Sequence, residues 1–298
     1  MTTTEIPVEQ KDLSNSSSLA VPLLKKKIPF WRRSAALNGG IIIIALVVLF
    51  ALFPTLVAHF SPNAQNSDTM LASPSWSHPF GTDNFGRDVL SRVAWGTRID
   101  LTIGLLATAV PFVMGSLLGL LAGYYGGWID TVLMRILDIV MAFPFIVLII
   151  AIVAIIGPGI TNLYIAIWLV GWKYYARLVR SEVLVIKNAE FVQAAKVLGY
   201  RDLRILFKHV LPNVFSAAIV YAASDVVMCM LAGASMSFLG LGVQPPAPEW
   251  GAMISDGRAY LTYAWWICLF PGLALVVAGT GFSLLGDGLS DLLRTKGR

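Results

Sequence analysis

Between Val214 and Gly242 the chain carries one ionisable acid, Asp225, in an otherwise uncharged run. A carboxylate there lacks water, so it must face a cavity, a neighbouring helix or a pathway. Two chemistries fit: holding a cation such as a substrate amine, or accepting a hydrogen bond from a backbone or side-chain donor in a neighbouring subunit. Asp138 lies nearer the edge of an apolar run, where water reaches it, and its claim is weaker. No catalytic set accompanies either acid. His59, His78 and His209 are too scattered to form a metal pair, and no G-x-x-x-x-G-K-[ST] loop is present to cradle phosphates. Ser235 sits in Gly-Ala-Ser-Met-Ser, which fails the G-x-S-x-G nucleophile elbow. Asp83 and Asp88 have neither the number nor the spacing of a calcium loop. Cys229 and Cys268 both fall in apolar stretches, so neither belongs to a disulfide framework or a metal cluster. The expectation is a chain that binds and positions without catalysing, with no metal and no cofactor of its own.

Apolar elements must position these residues. The 298 residues are 57% hydrophobic and 13% charged, with a mean hydropathy of +0.73. A water-soluble globule of that composition would not have enough polar surface to cover itself, so the solvent is lipid. Runs of about 20 apolar residues match a hydrocarbon core about 30 Å thick. Six spans are expected, over Gly39–Ala58, Leu101–Gly123, Ile139–Ile156, Ile160–Trp172, Val214–Gly242 and Ala264–Gly286. Gly157-Pro158-Gly159 makes a tight hairpin between the third and fourth. Lys173 truncates the fourth. Gly115, Gly119 and Gly123 share one face of the second, where another helix can approach closely, and Pro111 is a site for a kink. Gly81 to Gly86 is turn chemistry, and Asp88 to Asp100 suits a charged helix beside the membrane. The first span is too long for a signal-peptide core and is read as a retained anchor.

If the N-terminus is cytoplasmic, 18 of the 22 basic residues fall on the cytoplasmic side, and only Arg87, Arg92, Arg98 and Arg258 fall outside. Basic residues hold their flanks inside, so both termini are expected in the cytoplasm. Trp250, Tyr263, Trp265 and Trp266 suit an aromatic belt at the outer interface. The net charge of +5 does not imply a nucleic-acid partner, because the basic residues cluster beside apolar segments. The expected organisation is a cytoplasmic tail over 1–34, a first membrane helix over 35–60 and an extracytoplasmic segment over 61–100. A membrane domain follows over 101–290, containing a cytoplasmic loop at 177–212, and a cytoplasmic C-terminus covers 291–298.

That loop holds Glu190-Phe-Val-Gln-Ala-Ala-Lys-Val-Leu-Gly199-Tyr-Arg-Asp-Leu-Arg-Ile-Leu-Phe-Lys-His-Val-Leu-Pro212. Phe191 to Leu198 reads as a short helix with a small-residue face at Ala194 and Ala195, Gly199 as its left-handed stop, Asp202 as the cap of a second helix, and Pro212 as the limit of that helix. Gln193, Ala194, Ala195, Gly199, Leu211 and Pro212 resemble the hallmark of ABC importer permeases: Glu-Ala-Ala, three residues, Gly, nine residues, Ile-x-Leu-Pro. Gln193 stands for the glutamate and His209 for the isoleucine. Residues 78–92, 237–253 and 284–292 are similar to the "C"-type permeases of dipeptide, oligopeptide and nickel importers. Together with the loop, these stretches are spread along the chain from Trp76 onward, and the first 75 residues carry no such signature.

The resemblance implies an all-α, polytopic membrane protein of six transmembrane helices with the type I ABC importer permease (MetI-like) fold, five core helices and one peripheral. It implies a translocation path for peptides, coupling to ATPases through Gln193, Ala194, Ala195, Gly199, Asp202, Leu211 and Pro212, and Asp225 in the path or in subunit pairing. The implied partners are a homologous "B"-type permease, two cytoplasmic ABC ATPases that bind ATP and Mg, and an extracytoplasmic substrate-binding protein. The competing reading is an ion-gradient-driven secondary transporter, which would show repeats and broken helices around midplane charges. Gly286-Asp287-Gly288 looks like part of an intramembrane aspartyl protease signature, but its preceding glycine and partner aspartate are missing, so it reads as helix-end structure.

Overall fold

In lipid every backbone polar group needs a partner within the chain, so apolar runs become helices. The protein's computed structural model describes residues 35–294. The expected tail 1–34 and residues 295–298 lie outside the described residues. The order is α1 (Ala35–Leu52), α2 (Val89–Tyr125), α3 (Gly127–Met141), α4 (Phe145–Ile156), α5 (Ile160–Ile186), α6 (Glu190–Val197), α7 (Asp202–Ile205), α8 (Leu211–Phe238), α9 (Trp250–Gly257) and α10 (Trp266–Arg294). A turn pairing Thr82 with Asp88 precedes α2.

Asp88 starts α2 by accepting the Ser91 N–H at 2.7 Å. No break follows, and the charged helix expected over 88–100 is the first three turns of α2. Gly96 is tolerated inside it because a Cβ there would come within 2.9 Å of the Pro248 carbonyl. The glycine ladder lower in α2 faces α5. A Cβ at Gly115 or Gly119 would strike the backbone carbonyl of Trp172 or Ala176, and one at Gly123 would lie 2.8 Å from Val183 Cβ. Without a hydrophobic drive between helices in lipid, this backbone-to-backbone approach supplies the packing. The Pro111 ring packs against Gly171 of α5. Helix α1 lies on α10 by the same device: Gly40 abuts Leu285, and Gly288 abuts Leu37.

The third expected span is bent. Helices α3 and α4 meet at 87° across Ala142–Pro144, and α4 alone, 12 residues or about 18 Å, cannot cross. Pro144 has no N–H for the carbonyl of Val140 one turn earlier. The buried ammonium of Lys173 takes that carbonyl instead, at 3.1 Å. Lys173 therefore does not end α5, which runs 27 residues in all to Ile186, but secures the elbow beside it. Among the described residues four helices are long and apolar enough to cross a membrane, or five with the bent pair counted as one. Helix α5 has the length, and its Lys173, Arg177 and Arg180 lower its apolarity.

Pro212 does not limit the second loop helix either. A π turn over Leu206–Val210 joins α7 to α8, so Asp202–Phe238 is continuous. The widened turn lets the chain pass a proline that cannot donate, and Asn213 Nδ2 caps the His209 carbonyl at 2.6 Å.

Cross-links define two ends of the bundle. At one, Lys187 Nζ donates to the Gly123 carbonyl at 2.8 Å, joining the ends of α5 and α2 beside α6. At the other, Gly159 N–H reaches the Leu241 carbonyl at 3.1 Å, and Trp266 Nε1 reaches that of Thr82 at 3.0 Å. The hairpin at Gly157–Gly159 and the segments flanking α9 thus share one end, and the loop 187–210 occupies the other.

Candidate functional site

Helix α6 is short, with Glu190 in its first turn and Lys196 in its last, each complementing the helix dipole. Its stop is a Schellman turn. Gly199 lies at φ +75°, its N–H donates to the Lys196 carbonyl at 2.9 Å, and the Tyr200 N–H reaches back to Ala195 at 3.1 Å. One face of α6, Val192 and Ala195, is buried against Val179 and Val183 of α5 and Ile205, Leu206 and Val210 beyond the turn. Ala194 points out. The two alanines therefore do not form one small-residue face: one anchors the loop to its own bundle and the other is presented.

Gln193 Nε2 donates to the Lys187 carbonyl at 2.9 Å, holding the entry turn. Asp202 caps nothing with its side chain. It accepts the Tyr124 hydroxyl at 2.8 Å and ties the second helix to the end of α2. Leu211 is half-buried against the same cluster, and Pro212 is exposed. Large apolar side chains are exposed here among the charged ones: Val197 is 87% exposed, Leu198 71%, Leu203 61% and Phe207 51%, beside exposed Lys196, Arg201, Arg204 and Lys208. Sequence reasoning missed this ridge, although the hydrophobic residues flanking Gly199 signal it.

Asp225 lies farther along the same continuous helix, about 35 Å from Asp202 at 1.5 Å per residue. Its Oδ2 accepts the Tyr175 hydroxyl of α5 at 2.8 Å. Tyr175 is buried and meets Tyr221 edge-on at 4.9 Å and Phe112 at 5.6 Å. The carboxylate thus has a donor within its own chain, and it stays half-buried. Nothing in the sequence paired residue 175 with residue 225. Asp138 is exposed and pairs with Arg177 at 2.9 Å. Arg180 holds Asp130 at 2.5 Å, so α5 fastens α3 along one face. Near the opposite end, Asp83 is engaged by Arg87 at 2.5 Å. Among the described residues no group of three metal-ligating side chains converges.

Residues 115–297 match the model of the family described as binding-protein-dependent transport system inner membrane component. The chain belongs to that family. The permease is 45% identical to the dipeptide transport system permease protein DppC of Alkalihalophilus pseudofirmus, over 86% of this chain and 84% of the relative. It is 41% identical to the glutathione transport system permease protein GsiD of Pectobacterium atrosepticum, over 90% of each. It is 40% identical to the di/tripeptide transport system permease protein DppC of Pseudomonas aeruginosa, over 95% and 96%. Among solved structures it resembles an inward-facing MetNI methionine ABC transporter, with a TM-score of 0.56 at 20% identity, over 69% of this chain and 96% of that one. That likeness establishes the fold. The permease is a multi-pass, non-catalytic membrane component of an ABC importer, and the ion-gradient reading is set aside.

Proposed function

We propose that this permease forms part of the translocation path for peptides and converts ATPase closure into movement of that path through the helix Asp202–Phe238. The observation that carries the reading is the continuity of this helix, with an apolar docking ridge at one end and Asp225 inside the bundle. A push on Leu198, Leu203 and Phe207 is delivered to a rigid rod, because the Schellman turn and the buried Val192 and Ala195 prevent the loop from folding away. Rocking of packed helices is one established mode of such transitions. Asp225 contributes a fixed negative charge to the path or to a subunit contact.

The partners in this reading are a "B"-type permease, two cytoplasmic ATPases that bind ATP and Mg, and an extracytoplasmic binding protein. In this reading the loop end and both termini are cytoplasmic, which the distribution of basic residues supports, and the chain crosses six times. Peptides are the proposed substrate class, since the similar relatives are named for dipeptides, tripeptides and glutathione, itself a tripeptide. The test is uptake of a labelled dipeptide into vesicles holding the assembled complex. Uptake should require internal ATP and both ATPases and should survive an ionophore. Collapse of uptake with the ion gradient, or uptake by this chain alone, would overturn the proposal.

A further inference from the structure

Two carboxyl groups are sealed at the end of the bundle opposite the loop. Asp100 of α2 is 1% exposed, and Glu249, the N-cap of α9, is 0% exposed. Each has one oxygen occupied: Asp100 Oδ2 accepts the Trp250 N–H at 3.1 Å, and Glu249 Oε2 accepts the Ala252 N–H at 2.7 Å. The other two, Asp100 Oδ1 and Glu249 Oε1, are buried without a partner. The side chains interact directly with each other, and Ser237 approaches Glu249.

Among the described residues no cation compensates them. Arg87 is engaged by Asp83 and Asp256, and Arg92 by Pro62, Asn63, Pro246 and Asp83. Arg98 donates to the carbonyls of Ala51 and Leu52, Arg258 lies over Phe238, and His78 holds Asp88. Two touching carboxylates in a dry site cannot both ionise. A single proton between Oδ1 and Oε1 turns an acceptor facing an acceptor into a charge-assisted O–H···O bond and satisfies both orphan oxygens.

We propose that Asp100 and Glu249 form a proton-binding site, holding one shared proton that latches α9 onto α2. Trp250 seats beside it, with its indole N–H on the Val93 carbonyl at 3.1 Å. Burial pushes the Glu249 carboxyl above the ordinary range. The sign follows: the docked state keeps a proton that the undocked state gives up at ordinary carboxylate pH. Docking is therefore complete below that range and is lost as pH rises through the raised value, with the docked-to-undocked ratio falling about tenfold per pH unit.

The test uses the full chain in lipid nanodiscs, with infrared spectra and hydrogen exchange of amides 250–257 from mildly acidic to alkaline pH. Wild type should show a protonated-carboxyl band at neutral pH that is missing from both D100N and E249Q. After correction for intrinsic exchange, its 250–257 amides should open with rising pH. E249Q should flatten that rise, because its side-chain N–H permanently replaces the shared proton. Other protonated acids persist in every variant and cancel in the difference. A band unchanged in both variants, exchange profiles parallel in wild type and E249Q, or opening that tracks sodium instead of pH would each overturn the proposal.

Discussion

Gly199→Ala isolates the backbone of the turn that the proposed function uses for coupling from everything around it. At φ +75° a Cβ would meet nothing within 4 Å, so the variant adds strain without a clash. An alanine held left-handed costs about 1–2 kcal/mol, which makes opening of the turn about 5–30-fold more populated. Asparagine should cost less, because its short side chain tolerates that region, and a β-branched valine more. The bond at risk is the Tyr200 N–H to the Ala195 carbonyl, 3.1 Å, since Val192 and Ala195 keep α6 itself docked. Loss of that bond redirects the chain into α7 and displaces Leu203 and Phe207 from the ridge. Hydrogen exchange of the Tyr200 amide in the assembled complex should rise in the order Gly, Asn, Ala, Val. Substrate-stimulated ATP hydrolysis should fall in the same order, with membrane insertion unchanged. A valine variant that exchanges and couples like the wild type would refute the reasoning, since the turn would then be neither strained nor part of the coupling.

Leu198→Asp places a charge on a residue that is 71% exposed, so the permease should fold normally while co-purification with the ATPase subunits is lost; intact co-purification would remove the ridge from the interface. Gly119→Leu drives a side chain into the Ala176 backbone, and overpacking of at least about 1–3 kcal/mol should abolish monodisperse protein in detergent. Gly39→Ala, whose Cβ finds only Leu284 Cδ1 at 3.7 Å, should behave as wild type, and equal yields for the two variants would contradict the packing account. Asp225→Asn keeps an acceptor for the Tyr175 hydroxyl and removes the charge, so peptide uptake should drop with assembly preserved; undiminished uptake would make the charge dispensable. Single cysteines at exposed Ser75 and Asn188 should react with an impermeant reagent from outside and from inside respectively, and the reverse pattern would invert the topology.

The apolar runs, the hairpin at Gly157–Gly159, the glycine ladder of α2 and the left-handed stop at Gly199 were legible in the residues. Each depends on local chemistry: run length against lipid thickness, the missing Cβ, and spacing along one helix. The family was legible by resemblance in the residues around Gly199, and the family match agrees with that membership. Local rules misread Pro212 as a helix limit and passed over Pro144 inside the span Ile139–Ile156. Pro144 and Pro212 have the same defect, a missing N–H, yet one accompanies an 87° elbow and the other passes through a continuous helix. The difference comes from what lies opposite: Lys173 of α5 takes the Val140 carbonyl at the first, and a π turn with Asn213 absorbs the second. Likewise, spacing identified Asp225 as a costly acid but could not name Tyr175, 50 residues away, as its donor. Asp100 and Glu249, nearly 150 residues apart, gave no sign of one another. A carboxyl's state depends on which donors and charges the fold brings within a few ångströms, and that juxtaposition belongs to the tertiary structure alone.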